Sequence, residues 1–344
     1  MTRGRAERVA DVRRLLTAAG VVYADRARLS PDIVRATGLS PEGVELGFAS
    51  WERDAPSQDL EALVAAAGDA RHVHVVLSAN VFVAPLRALA IGRAAADAVT
   101  VRPSPRDPVL ARALVEAAAD PAVVLVEDRD IARSTADEIH VYGRTEAVEA
   151  VRARAAPGAK VRGHASGMGV AWITAAADLD ETAERLCRDV VAFDQRGCLS
   201  PRVALVEGGE DRAVWFARAL ADGLTRWANP VPRGRLHDDE VAEATRWRET
   251  MAFAGRVYEG NENVVASTSG PRLAVPPSGR HVLVVAAPTR ADAAARLGSL
   301  GHVVVTVGSD DPRTVASLAP PHARVSLLGR MQLPPLDGPV DRRG

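Results

Sequence analysis

Residues 72–114 read HVHVVLSANVFVAPLRALAIGRAAADAVTVRPSPRDPVLARAL. The stretch opens as HVHVVLSA (72–79), a short, apolar, β-branched run of strand character, and turns to a helical pattern over 84–96. AVTVRP (98–103) returns to a strand and 106–119 to a helix. Strands that are nearly continuously apolar and joined by helices build a mostly parallel sheet covered on both faces. Working outward, the same alternation continues through strand-like runs at 122–127, 138–143, 203–208, 281–288, 302–308 and 324–329. Helical patterns at 145–156, 178–193, 210–226, 238–255 and 289–300 separate most of them. The fold class is therefore α/β, with two mostly parallel sheets flanked by helices.

Three segments stand outside this rhythm. The first 70 residues, with Pro31, Pro41 and Pro56, read as helices and turns that cap the first sheet. GHASGMG (163–169) interrupts the alternation near the middle of the chain, where a hinge or domain crossing is expected. EGNENVVASTSGPRLAVPPSG (259–279) is polar and turn-rich, which predicts a long loop or hairpin.

Composition narrows the function. The 344 residues are 47% hydrophobic and 25% charged, enough to bury the cores of two ordinary domains. The 43 basic and 44 acidic residues are spread evenly, so nothing marks a nucleic-acid backbone or an anionic membrane as a partner. No apolar run approaches the roughly 20 residues of a membrane span. The start, MTRGRAERVADVRRLL, lacks the apolar centre of a signal peptide, and the protein reads as cytoplasmic. Two cysteines make no disulfide framework, and no Cys/His cluster has metal-ligand spacing.

The two thiols differ in setting. Cys187 shares a helix face with Leu179, Ala183, Leu186 and Val190 and is expected in the core. Cys198 lies in FDQRGCLSPRVALVEG (193–208), in a turn between a helix and a strand, either as a buried structural thiol or as a nucleophile. Gly197 before it permits close approach of a substrate, and Pro201 stops any helix after it. A nucleophilic thiol would need an oxyanion site and groups that favour the thiolate. Asn80, at the mouth of a strand, is either an oxyanion donor or a helix cap. Arg102 and Ser104 sit at a strand's carboxyl end, where open parallel sheets bind ligands, or are simply surface residues.

NVFVAPLRALAIG, VRPSPRDP, GHASGMGVAWI, FDQRGCLSPRVALVEG and LGRMQLPPLDG occur in an order that resembles the LuxC-type acyl-CoA reductases. These are the fatty-acid reductases of bacterial bioluminescence and their non-luminous relatives, within the aldehyde dehydrogenase superfamily. FDQ-x-GCLSP is the most specific part, and the resemblance spans roughly residues 40–338.

The resemblance implies NADPH-dependent reduction of an acyl thioester, acyl-CoA or acyl-carrier, to an aldehyde. It also implies an N-terminal cap with a Rossmann-like cofactor domain (1–165), a catalytic domain (166–315) and a segment returning to the core (316–344). Carried over, Cys198 is the acylated nucleophile and Asn80 the oxyanion-hole asparagine. Arg102, with Pro103 and Ser104, falls where the superfamily has a strand-end lysine motif, and a guanidinium there suits a ribose phosphate. Gly143, Arg144 and Thr145, after Tyr142, fall on the second cofactor-binding turn. His164 occupies the place of the glutamate base used by hydrolytic members. It is expected either to act on the Cys198 thiol while titrating near neutrality, or to pack at the domain crossing. The glutamate that holds the nicotinamide ribose has no assignable counterpart, and the chain is short for the family, so an oligomerisation segment is expected to be trimmed. The partners to be expected on this resemblance are the thioester donor, an acyl-transferring protein and further copies of the chain. The rival readings are the reverse reaction, an acylating aldehyde oxidation, and a catalytically inactive paralogue that scaffolds a synthetase or carrier protein.

Overall fold

The computed structural model describes residues 3–79, 81–128 and 130–343. Four helices come first: α1 (Arg5–Ala24), α2 (Arg26–Thr37), α3 (Pro41–Phe48) and α4 (Ser57–Ala67). The first sheet follows through β1 (Ala70–Val76), α5 (Ala84–Ala95), β2 (Ala96–Arg102), α6 (Val109–Ala118), β3 (Val123–Leu125), β4 (Glu138–Tyr142), α7 (Thr145–Arg154) and β5 (Lys160–His164). Its strands are all parallel, in the order β3-β2-β1-β4-β5. The chain steps outward from β1 to β3 and then crosses back to β4. The connections on either side of β1 and β4 therefore diverge, and a crevice opens at the carboxyl ends of that pair.

Burial explains why these elements pack as they do. Helix α5 is buried from Pro85 to Ala95 because α1 and α4 cover the face it turns away from the sheet. Gly92 lets it approach closely: a Cβ there would lie 3.2 Å from Val75 Cγ2. Helix α1 buries Val12, Leu15, Leu16, Ala19 and Val22, so the first 70 residues do form the expected cap.

The second sheet is built from β6 (Met168–Ile173), α8 (Leu179–Val191), β7 (Pro201–Glu207), α9 (Glu210–Trp227), α10 (Asp238–Ala254), β8 (Arg256–Glu259), β9 (Val264–Thr268), β10 (His281–Ala287), α11 (Arg290–Ser299), β11 (Val304–Ser309), α12 (Pro312–Val315) and β12 (Arg324–Leu327). The order is β12-β11-β6-β7-β10-β9-β8, parallel except for the antiparallel β8–β9 pair. Alternate residues of β6 serve opposite faces. Ala171 and Ile173 join α8 and α9 around Leu186, Phe216 and Leu220, while Val170 and Trp172 meet Trp247 and Leu297. Cys187 is fully buried in the first of these layers, with its Sγ 3.7 Å from the Leu220 carbonyl.

Two segments depart from expectation. Residues 163–169 do not merely interrupt the alternation, because β5 ends and β6 begins there. β5 is a polar edge strand (Lys160, Arg162, His164), which hides it from an apolar pattern search. The glycine of β6 serves packing: a Cβ on Gly169 would stand 2.5 Å from the Leu199 carbonyl oxygen. Within 259–279, Val264–Thr268 form β9, which pairs with β8 and with the central β10.

Candidate active site

The Cys198 turn is set by unusual backbone. After α8 ends, Phe193, Asp194 and Gln195 take φ values of 54°, 47° and 61°. Each is a left-handed conformation that costs a residue with a Cβ about 1–2 kcal/mol. The side chains of the same residues hold it. Buried Asp194 accepts from Arg280 Nε (2.9 Å) and from the Gly234 N–H (2.8 Å). Gln195 donates Nε2 to the Pro201 (2.8 Å) and His281 (3.0 Å) carbonyls and accepts from the His281 N–H (2.7 Å). Phe193 packs edge-on against Phe82, with ring centroids 5.7 Å apart. The FDQ triplet is thus a tied left-handed corner. It delivers the Gly197–Ser200 turn, closed by Ser200 N–H to Gly197 O at 3.1 Å, with Cys198 inside it.

Cys198 faces a cavity of about 150 Å³. Val83, Leu86 and Ile91 supply an apolar wall, and His164, Asp341, Glu52 and Arg87 bring polar groups to it. Cys198 and His164, expected to lie together, do line one cavity. His164 is the last residue of β5 and the register partner of Tyr142, and the two rings stack at 4.4 Å with 14° between their planes.

Burial, aided by His140 and Arg162, lowers the His164 pKa to about 4, against the opposing influence of Asp341. The expectation that it titrates near neutrality is corrected: the ring is neutral at working pH because it is enclosed. Burial and then Asp341 push the Cys198 thiol up to about 11, with Arg343 and Arg87 favouring the thiolate. The resting group is a thiol.

Asp341 and Arg343 come from the segment after β12. The Asp341 carboxylate is buried and accepts from Arg343 Nε (2.8 Å), Nη2 (2.7 Å) and backbone N–H (3.0 Å). Arg87, on α5, donates to the Pro334, Pro335 and Gly338 carbonyls at 2.8–2.9 Å and to Glu52. Sequence reasoning missed all three residues, since Arg87 and Arg343 bond backbone oxygens remote in sequence and Asp341 is placed through Arg343.

The crevice at the β1/β4 switch, of about 520 Å³, gathers Arg102, Ser104, Gly143 and Arg144, together with Arg106, which had not been singled out. Pro103 lines an adjoining groove of about 540 Å³ with Arg102 and Ser104. Ser104 Oγ accepts from the Arg106 N–H at 3.3 Å, which shapes the strand-end turn. Arg144 caps α7 without a side-chain bond, and Thr145 opens the helix and is exposed. Asn80 lies outside the described residues. Tyr142 lines both the crevice and the Cys198 cavity, so the two spaces share a wall. Among the described residues no helix is long and apolar enough to cross a membrane.

This architecture has many solved counterparts. A γ-glutamyl-γ-aminobutyraldehyde dehydrogenase from Burkholderia cenocepacia superposes with a TM-score of 0.72 at 16% identity, over 93% of this chain and 76% of that one. A NAD-dependent benzaldehyde dehydrogenase from Corynebacterium glutamicum gives 0.72 at 17%, over 96% and 83%. A NADP-dependent glyceraldehyde-3-phosphate dehydrogenase from Bacillus halodurans, complexed with NADP, gives 0.69 at 13%, over 94% and 78%. No curated protein sequence matches the chain. The sequence profile described as acyl-CoA reductase (LuxC) matches residues 53–332, which include the tied FDQ corner, Cys198, His164 and both edges of the crevice. With an aldehyde dehydrogenase fold beneath that profile, the chain belongs to the LuxC acyl-CoA reductase family, oxidoreductases that reduce acyl-CoA to aldehyde.

Proposed function

We propose that the protein reduces an acyl thioester, carried by coenzyme A or a carrier protein, to an aldehyde with NADPH through a thioester on Cys198. In this reading residues 1–165 hold the dinucleotide, 166–315 carry the nucleophile and 316–344 return to the core. The observation that carries it is the shared wall: Cys198 and His164 line an apolar cavity that meets the strand-end crevice at Tyr142.

The crevice residues fit a dinucleotide phosphate. Arg102, Arg106 and Arg144 bring positive charge to it, and the uncapped N–H groups at the start of α7 suit an anion, with Glu146 the one opposing charge among the described lining. Arginines suit a ribose phosphate, which favours NADPH, and the NADP-bound Bacillus halodurans structure shows that its own version of the fold holds that cofactor. When bound, the reduced nicotinamide supplies a hydride to the acyl carbon.

The chain's residues carry the acylation. With the thiol at about 11, the thiolate is rare at pH 7 by roughly four orders of magnitude, so attack needs a proton acceptor. His164, which is neutral and lines the same cavity, is the acceptor in this reading, with Asp341 offsetting part of the burial that weakens it as a base. The Sγ–H bond breaks toward the ring as Sγ bonds the acyl carbon, the carbon–sulfur bond to the donor breaks, and the proton leaves on the departing thiol. Nothing is oxidised in this half, and the apolar wall limits access of water to the acyl-enzyme.

Incubation with an acyl-CoA but no dinucleotide, followed by intact mass measurement, tests the reading. The native protein should gain one acyl group and Cys198→Ala none. Unchanged aldehyde formation by Cys198→Ala would overturn it.

A further inference from the structure

We infer that Asp341, clamped by Arg343, positions His164 as the base for Cys198, so that the segment after β12 completes the active site. The inference rests on the thioester reading above. Three parts of the chain meet at one cavity: the end of β5 (His164), the turn before β7 (Cys198) and residue 341. The guanidinium that forks onto Asp341 also grips the two residues that follow His164, donating Nη2 to the Ala165 (3.2 Å) and Ser166 (3.0 Å) carbonyls. Its Nη1 reaches the His302 carbonyl at 3.0 Å. A Cβ on Gly167 would lie 2.8 Å from Nη2, so glycine there leaves the arginine its place. One side chain thereby fixes both the carboxylate and the backbone that carries the histidine.

The charges around His164 assign Asp341 its task. His140 on β4 and Arg162 on β5 disfavour the imidazolium, and Tyr142 stacks on it without charge. Arg87 on α5 and Glu52, before α4, pair with each other across the cavity. Asp341 favours the protonated ring through its carboxylate and through its backbone. In this arrangement a ring nitrogen turned toward Asp341 would keep its proton, which would leave the other nitrogen for the Sγ proton during acylation.

Asp341 also opposes the Cys198 thiolate, which gives the proposal an unusual signature. In Asp341→Asn, alkylation of Cys198 by iodoacetamide, without substrate, should reach its midpoint at lower pH than in the native protein. Single-turnover acylation from an acyl-CoA should nevertheless slow by roughly 10- to 100-fold, with KM within about twofold. His164→Asn should be as slow, and the double variant no slower than either. A residue that merely braced the fold would move alkylation and acylation in the same direction and add to His164→Asn. Either result, or native acylation in Asp341→Asn, would overturn the inference. Should Asp341→Asn melt below the assay temperature, Arg343→Lys takes its place in the cycle with the same expected non-additivity, since it keeps the charge but gives up the fork. Failure of the thioester reading itself would show as acylation of Cys198→Ala, while the alkylation arm would still report the influence of Asp341 on the thiol.

Discussion

At the scale of single residues, enclosure sets the chemistry of His164 more than residue type does. Its folded pKa of about 4 lies below the ordinary 6.5, so the unfolded chain takes up the proton first as pH falls. The stability it allows above pH 6.5 is lost between 6.5 and 4, at up to about 1.4 kcal/mol per pH unit, and is flat below. His164→Asn removes that proton. Its unfolding free energy in urea, relative to its own value at pH 7.5, should fall less than that of the native protein over this window. Equal slopes would mean that the ring titrates normally and is solvated. Arg102 carries a different expectation. A charge-assisted contact with a ribose phosphate contributes roughly 1.5–3 kcal/mol, so Arg102→Ala should raise KM for NADPH on the order of 10- to 100-fold and for NADH far less. Equal losses in steady-state assays would reassign Arg102 to general positioning. Cys198 and Arg102 were legible because they sit at a turn and a strand end within recognisable patterns, and His164 only through the family resemblance, because the strand that carries it was hidden. Asp341 and Arg343 were not, because what defines the pair is the contact of Arg343 with Ala165 and Ser166, which lie 178 and 177 residues away.

At the scale of elements, the FDQ corner shows how a short motif encodes geometry. Its three left-handed residues persist because Asp194 and Gln195 are bonded to Arg280 and His281 at the start of β10, to Gly234 and to Pro201 on β7. Asp194→Ala would leave Arg280, 1% exposed, with the longer contact to Glu262 (3.6 Å) in place of the 2.9 Å pair, and should cost roughly 3–5 kcal/mol by urea unfolding. A cost below about 1 kcal/mol would show that the corner is held by packing alone. Gly169→Ala should act on the same turn from the β6 side, since its Cβ would displace the Leu199 carbonyl, and should lower acylation more than it lowers stability. Helices α5 to α11 were readable, since periodicity and flanking prolines and glycines mark them, whereas the first 70 residues read only as helices and turns without bounds and the one-turn α12 was not read. Strands β1, β2, β3, β4, β7, β10, β11 and β12 were readable as apolar runs. β5 and β8 were hidden because edge strands carry polar side chains, and β6 because Gly167 and Gly169 at its start mimic a loop while serving close packing.

At the scale of the whole molecule, the two sheets supply different halves of the site, and the segment after β12 ties them. The first sheet gives the crevice and His164, and the second gives the corner that carries Cys198. Residues 334–340 run between them with their carbonyls bound to arginines of both halves. Arg87 on α5 takes Pro334, Pro335 and Gly338, while Arg324 on β12 takes Pro339 (2.8 Å) and Val340 (3.3 Å) and pairs with Asp337 (2.6 Å). Arg87→Met keeps much of the stem's volume but removes the donors for three carbonyls and the partner of Glu52, whose pKa burial already raises. Loss of one member of such a partly buried cluster should cost roughly 3–5 kcal/mol. Its effect should also be local, because the core strands do not depend on Arg87. In hydrogen exchange followed by mass spectrometry, amides of 336–343 should exchange faster, while β1, β4, β7 and β10 keep their protection relative to global stability. Acylation of Cys198 should slow with that loosening, since Asp341 and Arg343 ride on the same segment. Faster exchange with native acylation would separate the tie from the chemistry, and unchanged exchange would place the hold on 334–340 with Arg324 alone.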